Sequence, residues 1–296
     1  MIDTVIASLP ASTRARLQQT LAQWRHWRCE PQLDSRPEPV EILHGGISNF
    51  SVLVAAREKY VVRIDGMDPE TNGLHRQSEW RALEAASSAK LAPAPRYFNP
   101  ELGCLVCDYL PPDPLQTRSP GQVGKLLSSI HKLPPLHHRL DLRKRIARLE
   151  KMIDHRDSKV PALLDELRQK VASLLARLRR EDRTLTLCHN DLLAANRLQS
   201  GGVLWALDWE YCAMGSPWYD LAVTASGDSL TEEETADLLQ AYLGRPAQTA
   251  EFARLADYGR IYRYLELLWY LALQKTSRAG FLEQRTAELA QTWNLD

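Results

Sequence analysis

The apolar positions of this chain change their spacing along its length. Near the start, Leu17, Leu21 and Trp24 recur at helical intervals, and the stretch from 9 to 27 predicts an amphipathic helix. Residues 40–43, 50–56 and 60–64 then read as short strands, the last two joined by the polar turn Arg57-Glu58-Lys59. Residues 71–88 predict a helix and residues 102–109 a further strand. The run Leu110-Pro111-Pro112-Asp113-Pro114 breaks regular structure and marks a hinge. Beyond it helical spacing dominates: Leu126, Leu127 and Ile130 share a face, and Pro134-Pro135 stops that helix. Residues 140–152 and 161–180 predict longer helices. The second carries a stripe of Leu164, Leu167, Val171, Leu174 and Leu178, with Pro161 suited to its first turn. Helical spacing returns after Thr231, a cap residue followed by Glu232, Glu233 and Glu234. The expected class is α+β, with a β-rich region over 1–109 and a mostly helical one over 110–296.

One segment interrupts the helices. Residues 187–198 run from an apolar strand into a polar loop holding His189, Asp191 and Asn196, and a second apolar strand ends at Asp208. Phosphoryl transfer to an alcohol needs the hydroxyl positioned and its proton accepted. Asp191 suits that task. Asn196 offers a neutral oxygen and Asp208 a charged one, a donor set that matches Mg²⁺ carried in with ATP. Any one of these residues alone fits an ordinary surface turn, since Asp and Asn bond their own backbone. The full spacing H-x-D-x-x-x-x-N, followed by an apolar strand ending in Asp, favours the chemical reading. His189, grouped with Asp191 as a catalytic-loop residue, suits ordering that loop through hydrogen bonds better than transferring protons. Between two strands, His44-Gly45-Gly46-Ile47-Ser48-Asn49 could present N–H groups to phosphates, with a plain hairpin turn as the competing reading.

Charge then narrows the partners. Lys plus Arg and Asp plus Glu number 37 each, so a general nucleic-acid binder or anionic-membrane binder is disfavoured. No apolar run is long enough to span a bilayer, and the first residues lack a basic segment followed by an apolar one, so a cytoplasmic location is expected. Cys104 and Cys107 form a lone C-x-x-C inside an apolar run, and with no second pair they read as buried thiols. Cys188 and Cys212 read the same way. Nothing in the sequence separates a monomer from a dimer.

The segments His189-Asn190-Asp191-Leu192-Leu193-Ala194-Ala195-Asn196, Leu207-Asp208-Trp209-Glu210-Tyr211 and Gly215-Ser216-Pro217-Trp218-Tyr219-Asp220 resemble the choline/ethanolamine kinase family. That family lies within the aminoglycoside phosphotransferase superfamily, and bacterial thiamine kinases are similar to it. The resemblance runs from about Val40 onward, with its specific motifs between 187 and 222. It implies a two-lobed protein-kinase-like fold, Asp191 as catalytic base, and Asn196 and Asp208 as Mg²⁺ ligands. It implies phosphate contacts from Gly45, Gly46, Ser48 and Asn49, whose loop is similar to the Gly-Gly-x-x-Asn loop of choline kinases. Arg63 stands where protein kinases carry a strand lysine, and its planar fork also binds phosphate oxygens. Glu79 is its expected helix partner. Asp108, Tyr109 and Leu110 would supply backbone groups to adenine, and Asp220 would hold the loop through backbone hydrogen bonds.

The acceptor is less determined than the reaction. Glu210 and Trp209 resemble part of a cationic acceptor site, and Tyr262 and Trp269, with Tyr258, Tyr264 and Tyr270, offer faces for a quaternary or thiazolium cation. Each of those aromatics also fits ordinary core spacing. Choline fits the motif block best, followed by thiamine, then ethanolamine or an aminoglycoside. A non-catalytic kinase-fold protein would not need Asp191. A protein kinase is disfavoured, because neither D-F-G at Asp208 nor a later A-P-E is present.

Overall fold

The computed structural model describes residues 5–43, 49–116, 119–153, 162–273 and 280–294. Gly45, Gly46 and Ser48, expected at the phosphate loop, lie outside the described residues, as does Pro161. The described residues form two compact units: Met1–Thr117 with Ala195–Cys212, and Arg118–Ala194 with Ala213–Asp296.

The first unit is built on an antiparallel sheet of β1 (Glu38–Leu43), β2 (Asn49–Ala55), β3 (Lys59–Asp65), β4 (Pro95–Asn99) and β5 (Cys104–Asp108), in the order β1-β2-β3-β5-β4. β2 and β3 pair in register from Asn49 with Asp65 to Ala55 with Lys59. Alternation sends Val52, Val54, Val62 and Ile64 into one core with Leu17 and Leu21 of α1 (Ala11–Ala22). The same alternation puts Arg63 on the other face of β3. The expected helix over 71–88 is two helices, α2 (Pro69–Asn72) and α3 (Arg76–Ser88), because Gly73 turns left-handed at φ 68° and ends the first. β4 escaped the sequence reading. It begins at a proline and its five residues are all half-buried, so it shows no alternation.

The partition expected at residue 110 places 195–212 with the helices, whereas they group with the sheet. The bonding explains this. β7 (Arg197–Ser200) and β8 (Val203–Ala206) form a hairpin around Gly201 and Gly202, whose N–H groups donate to the Asp113 carboxylate at 2.8 and 2.9 Å. Gln116 exchanges hydrogen bonds with the backbone of Gln199, and Ala206 N–H donates to the Leu91 carbonyl at 2.8 Å. The proline-rich stretch after Leu110 therefore fastens this hairpin within the first unit.

The second unit holds α4 (Pro120–Ile130), α5 (Leu142–Met152), α6 (Leu163–Glu181), α7 (Pro217–Gly227), α8 (Glu232–Leu243), α9 (Thr249–Leu273) and α10 (Phe281–Thr292). β6 (Thr186–Cys188) and β9 (Ala213–Gly215) pair antiparallel within it. Thr231 caps α8 in a complete capping box with Glu234. α7 is buried from Pro217 through Ala225, which places Asp220 and Thr224 in the interior. Among the described residues no helix is long and apolar enough to cross a membrane.

Candidate active site

In the first unit, Arg63 is the centre of a buried charge cluster. Its Nη1 and Nη2 reach the Glu79 carboxylate at 2.5 and 2.8 Å, so strand β3 and helix α3 form the expected ion pair. Nη1 also donates to Asp208 Oδ1 at 2.8 Å. Burial alone would raise the Glu79 pKa, but Arg63 and then Arg76 hold its carboxyl below the ordinary range. Arg76, on the first turn of α3, was not anticipated. Its guanidinium bonds both oxygens of Asp65 at 2.6 and 3.2 Å, Glu79 at 2.8 Å and Glu210 at 3.2 Å. The only sequence signal was its i,i+3 spacing to Glu79 on a helix.

Two guanidinium groups thus face four carboxylates. Burial and the neighbouring Glu210 push Asp208 up to about 7, against the pull of Arg63. Asp208 is left-handed, at φ 56° and ψ 71°, and heads the short 3₁₀ turn Trp209–Tyr211. Asp tolerates that backbone better than most residues. Its side chain keeps 32% exposure, and with one oxygen on Arg63 the carboxylate still has acceptor capacity. Leu207 N–H donates to the Asn196 carbonyl at 2.8 Å, which ties together the two segments expected to hold the metal. A carboxylate short of positive charge and an amide oxygen fit a small hard cation.

Other expected residues stand differently. Glu210 lies within the 3₁₀ turn Trp209–Tyr211 rather than at a strand end, and is only 4% exposed. Its Oε2 accepts from Asn49 Nδ2 at 2.8 Å as well as from Arg76. Asn49 and Glu210, assigned separately to phosphate and acceptor, bond each other. Trp209 is fully buried with its indole N–H on the Ala206 carbonyl, so it packs the unit and offers no open face. The Asp108 carboxylate forms a bidentate pair with Arg96 at 2.6 Å for each bond. The N–H groups of Asp108 and Tyr109 donate to Ala94 and Lys59, and Tyr109 and Leu110 lie in the irregular stretch after β5.

In the second unit, the loop bearing Asp191 is fastened from α7. Asp220 accepts the backbone N–H groups of His189 and Asn190 at 2.8 and 2.7 Å, the role expected of it. Its Oδ2 also lies 3.0 Å from His131 Nε2, and His131 Nδ1 is 2.9 Å from the Tyr242 hydroxyl. Burial would raise Asp220, but the His131 bond, the His131 and His189 rings and the loop N–H hold it below the ordinary range. An ionised Asp220 only accepts, so the Nε2 of His131 is the donor in that bond. Further along, Thr224 Oγ1 donates to the Leu192 carbonyl at 3.1 Å, and Ala194 N–H donates to Asp228 at 3.0 Å. Asn190 takes φ 62°, and Leu192 is fully buried, while Asp191 between them is half-buried. His189 is fully buried too, which suits ordering of the loop rather than contact with an acceptor.

The late aromatics do not form one cage. Tyr258 donates to Asp182 at 3.1 Å, and Tyr264 donates to Glu150 at 3.0 Å. Tyr262 donates to Glu266 at 3.2 Å and packs beside the Asp191 loop: a Cβ on Gly227 would meet both its hydroxyl and Leu193 Cδ2 within 2.9 Å. Trp269 and Tyr270 are half-buried and meet edge-to-face, 5.0 Å between centroids. Cys188 Sγ sits within 4.8 Å of ligand atoms on His131 and Asp220. Burial and then Asp220 drive its pKa well up. Cys29, Cys104, Cys107 and Cys212 are likewise free cysteines.

Residues 39–259 match the model of the phosphotransferase enzyme family. The chain belongs to this family. The protein LicA of Haemophilus influenzae is 31% identical over 94 residues, 31% of this chain and 28% of LicA, so the match spans under a third of that relative's length. A choline/ethanolamine kinase family protein from Mesorhizobium loti superposes with a TM-score of 0.72 at 22% identity, covering 94% of each chain. LicA in complex with AMP gives a TM-score of 0.75 at 21% identity, over 94% of this chain and 97% of that one. The family's kinase-like fold, with a sheet-bearing N-terminal region and a helical C-terminal region, is therefore the fold of this chain.

Proposed function

We propose that this protein transfers the γ-phosphoryl group of ATP to the hydroxyl of a small cationic alcohol in the cytoplasm, with choline as the first candidate and thiamine the second. The observation that carries the reading is the Asp191 loop, fixed by Asp220, Thr224 and Asp228, so that its carboxylate is presented by a rigid backbone. In the proposed step, Asp191 orients the acceptor hydroxyl and takes its proton as the oxygen–phosphorus bond forms. The bond from the γ-phosphorus to the bridging oxygen breaks, and ADP leaves with that electron pair. Arg63, held by Glu79, supports the ATP phosphates. Asn196 and Asp208 would hold Mg²⁺, which when bound neutralises charge on the phosphate oxygens.

The acceptor reading rests on the second unit. Tyr262 lies beside Leu193 in the loop, and Glu266 accepts its hydroxyl, so an aromatic face and a carboxylate occur together there. Trp269 and Tyr270 meet edge-to-face further along α9. The LicA match and the choline/ethanolamine kinase family neighbour support a choline-like acceptor.

Asp191→Asn keeps the side chain's size and removes its basicity. It is expected to lower kcat by roughly 10²–10⁴-fold while ATP binding, read by calorimetry, stays unchanged. Near-normal turnover in this variant would remove Asp191 as the base.

A further inference from the structure

A cavity of about 440 Å³ opens on the second unit, lined by residues around the starts of α5 and α7, the end of α6 and Tyr258 of α9; Asp191, Asp220, His131 and Tyr262 are not among its lining residues. Its chemistry is unusual. Arg139 and Arg143 come from the start of α5, and Arg179 and Arg183 from the end of α6. All four are exposed. Among the described residues, none of the four side chains makes an ion pair or hydrogen bond, whereas Arg177, Arg168, Arg260 and Arg263 nearby in sequence or fold are all paired.

Two carboxylates, Asp141 and Asp182, share the cavity with the four arginines and leave a positive excess. Asp182 accepts from the hydroxyls of Ser216 and Tyr258, and Asp141 accepts the Lys144 N–H at 3.1 Å as the cap of α5. Two helix starts face the same space: the first turn of α5 at Leu142, and the α7 start at Ser216. Their partial positive charge adds to that of the guanidinium groups. The floor is apolar, with Leu175, Leu178 and the buried Tyr219.

We infer that this cavity binds a compact polyanion carrying phosphate groups on an apolar or aromatic body. Two arginines stand on each side of the cavity mouth, and a multivalent anion between them would engage both pairs. The planar fork of Arg matches phosphate oxygens two at a time. A single carboxylate would satisfy too few of these donors. A cavity of this size holds a small organic phosphate, with the Leu175, Leu178 and Tyr219 floor beneath the organic part. The inference does not depend on the proposed kinase reaction.

The test is a calorimetric titration of the full chain with inorganic pyrophosphate, for wild type and for the double variant Arg179→Gln/Arg183→Gln. Wild type is expected to show a saturable site that weakens as KCl is raised. The variant is expected to lose roughly tenfold in affinity per arginine removed, while its turnover and circular dichroism stay at wild-type values. Should that pair fail to fold, Arg139→Gln/Arg143→Gln removes the opposite rim and must show the same loss. Equal pyrophosphate binding by wild type and variant overturns the inference, as does the absence of any saturable wild-type site. A second arm uses phosphatidylglycerol vesicles. Binding to vesicles with no saturable pyrophosphate isotherm also overturns it, since the arginines would then act as a charged surface and not as a pocket.

Discussion

Asp220 shows how much of the site rests on one buried carboxylate. It serves two loop N–H groups and a histidine at once. Asp220→Ala would leave those donors buried and unpaired, and is expected to cost roughly 3–5 kcal/mol of stability, read from denaturant midpoints. Its depressed pKa sets a pH dependence with a definite sign. The contribution is complete above the unfolded carboxylate pKa, near 3.9, and is lost as pH falls through the lower folded value. Urea midpoints taken from neutral pH downward should show that acid loss in wild type and a smaller one in Asp220→Asn. An identical slope in both would remove Asp220 from the account. At this scale the sequence spoke through spacing: Asp191, Asn196 and Asp208 stand in one short pattern, and Glu79 follows from a helix beside Arg63. Arg76, Asp65 and His131 did not, because their partners are up to 134 residues away in the chain and no local pattern encodes such a meeting.

Helices and strands follow from more local causes, and their limits were legible where a cap or a proline marks them. Thr231 is such a case, and Thr231→Ala should cost about 1 kcal/mol, with the loss appearing in the melting temperature. Gly124 is another kind of constraint, invisible in the sequence. A Cβ there would meet the Leu238 carbonyl oxygen at 2.3 Å, so α4 and α8 approach through that glycine. Gly124→Ala forces the pair apart, and a loss of roughly 1–3 kcal/mol is expected; unchanged stability would contradict the close crossing. The strands show the same division. β2 and β3 announce themselves by buried alternation, whereas β4, half-buried throughout, depends on its neighbour β5 for its existence. The break between α2 and α3 hung on Gly73, a residue whose positive φ ends a helix only when the following chain has somewhere to go.

For the whole molecule, the change from strand to helical spacing told the α+β class, but the grouping of residues 195–212 with the sheet could not be read along the chain. It arises from bonds of Asp113, Gln116 and Leu91 to a hairpin far later in the chain. Zero formal net charge agrees with a small-molecule enzyme and conceals a local excess, the four arginines around the cavity of the second unit. The central claim is that Asp191 of this chain drives phosphoryl transfer from ATP to a cationic alcohol. It is tested most directly by Mg²⁺-dependent ADP release with choline, ethanolamine, thiamine and an aminoglycoside, using Asp191→Asn as the blank. Turnover on choline well above the other three, absent in the blank, is the predicted result. No turnover on any of them while ATP still binds, or equal turnover in wild type and Asp191→Asn, would contradict it.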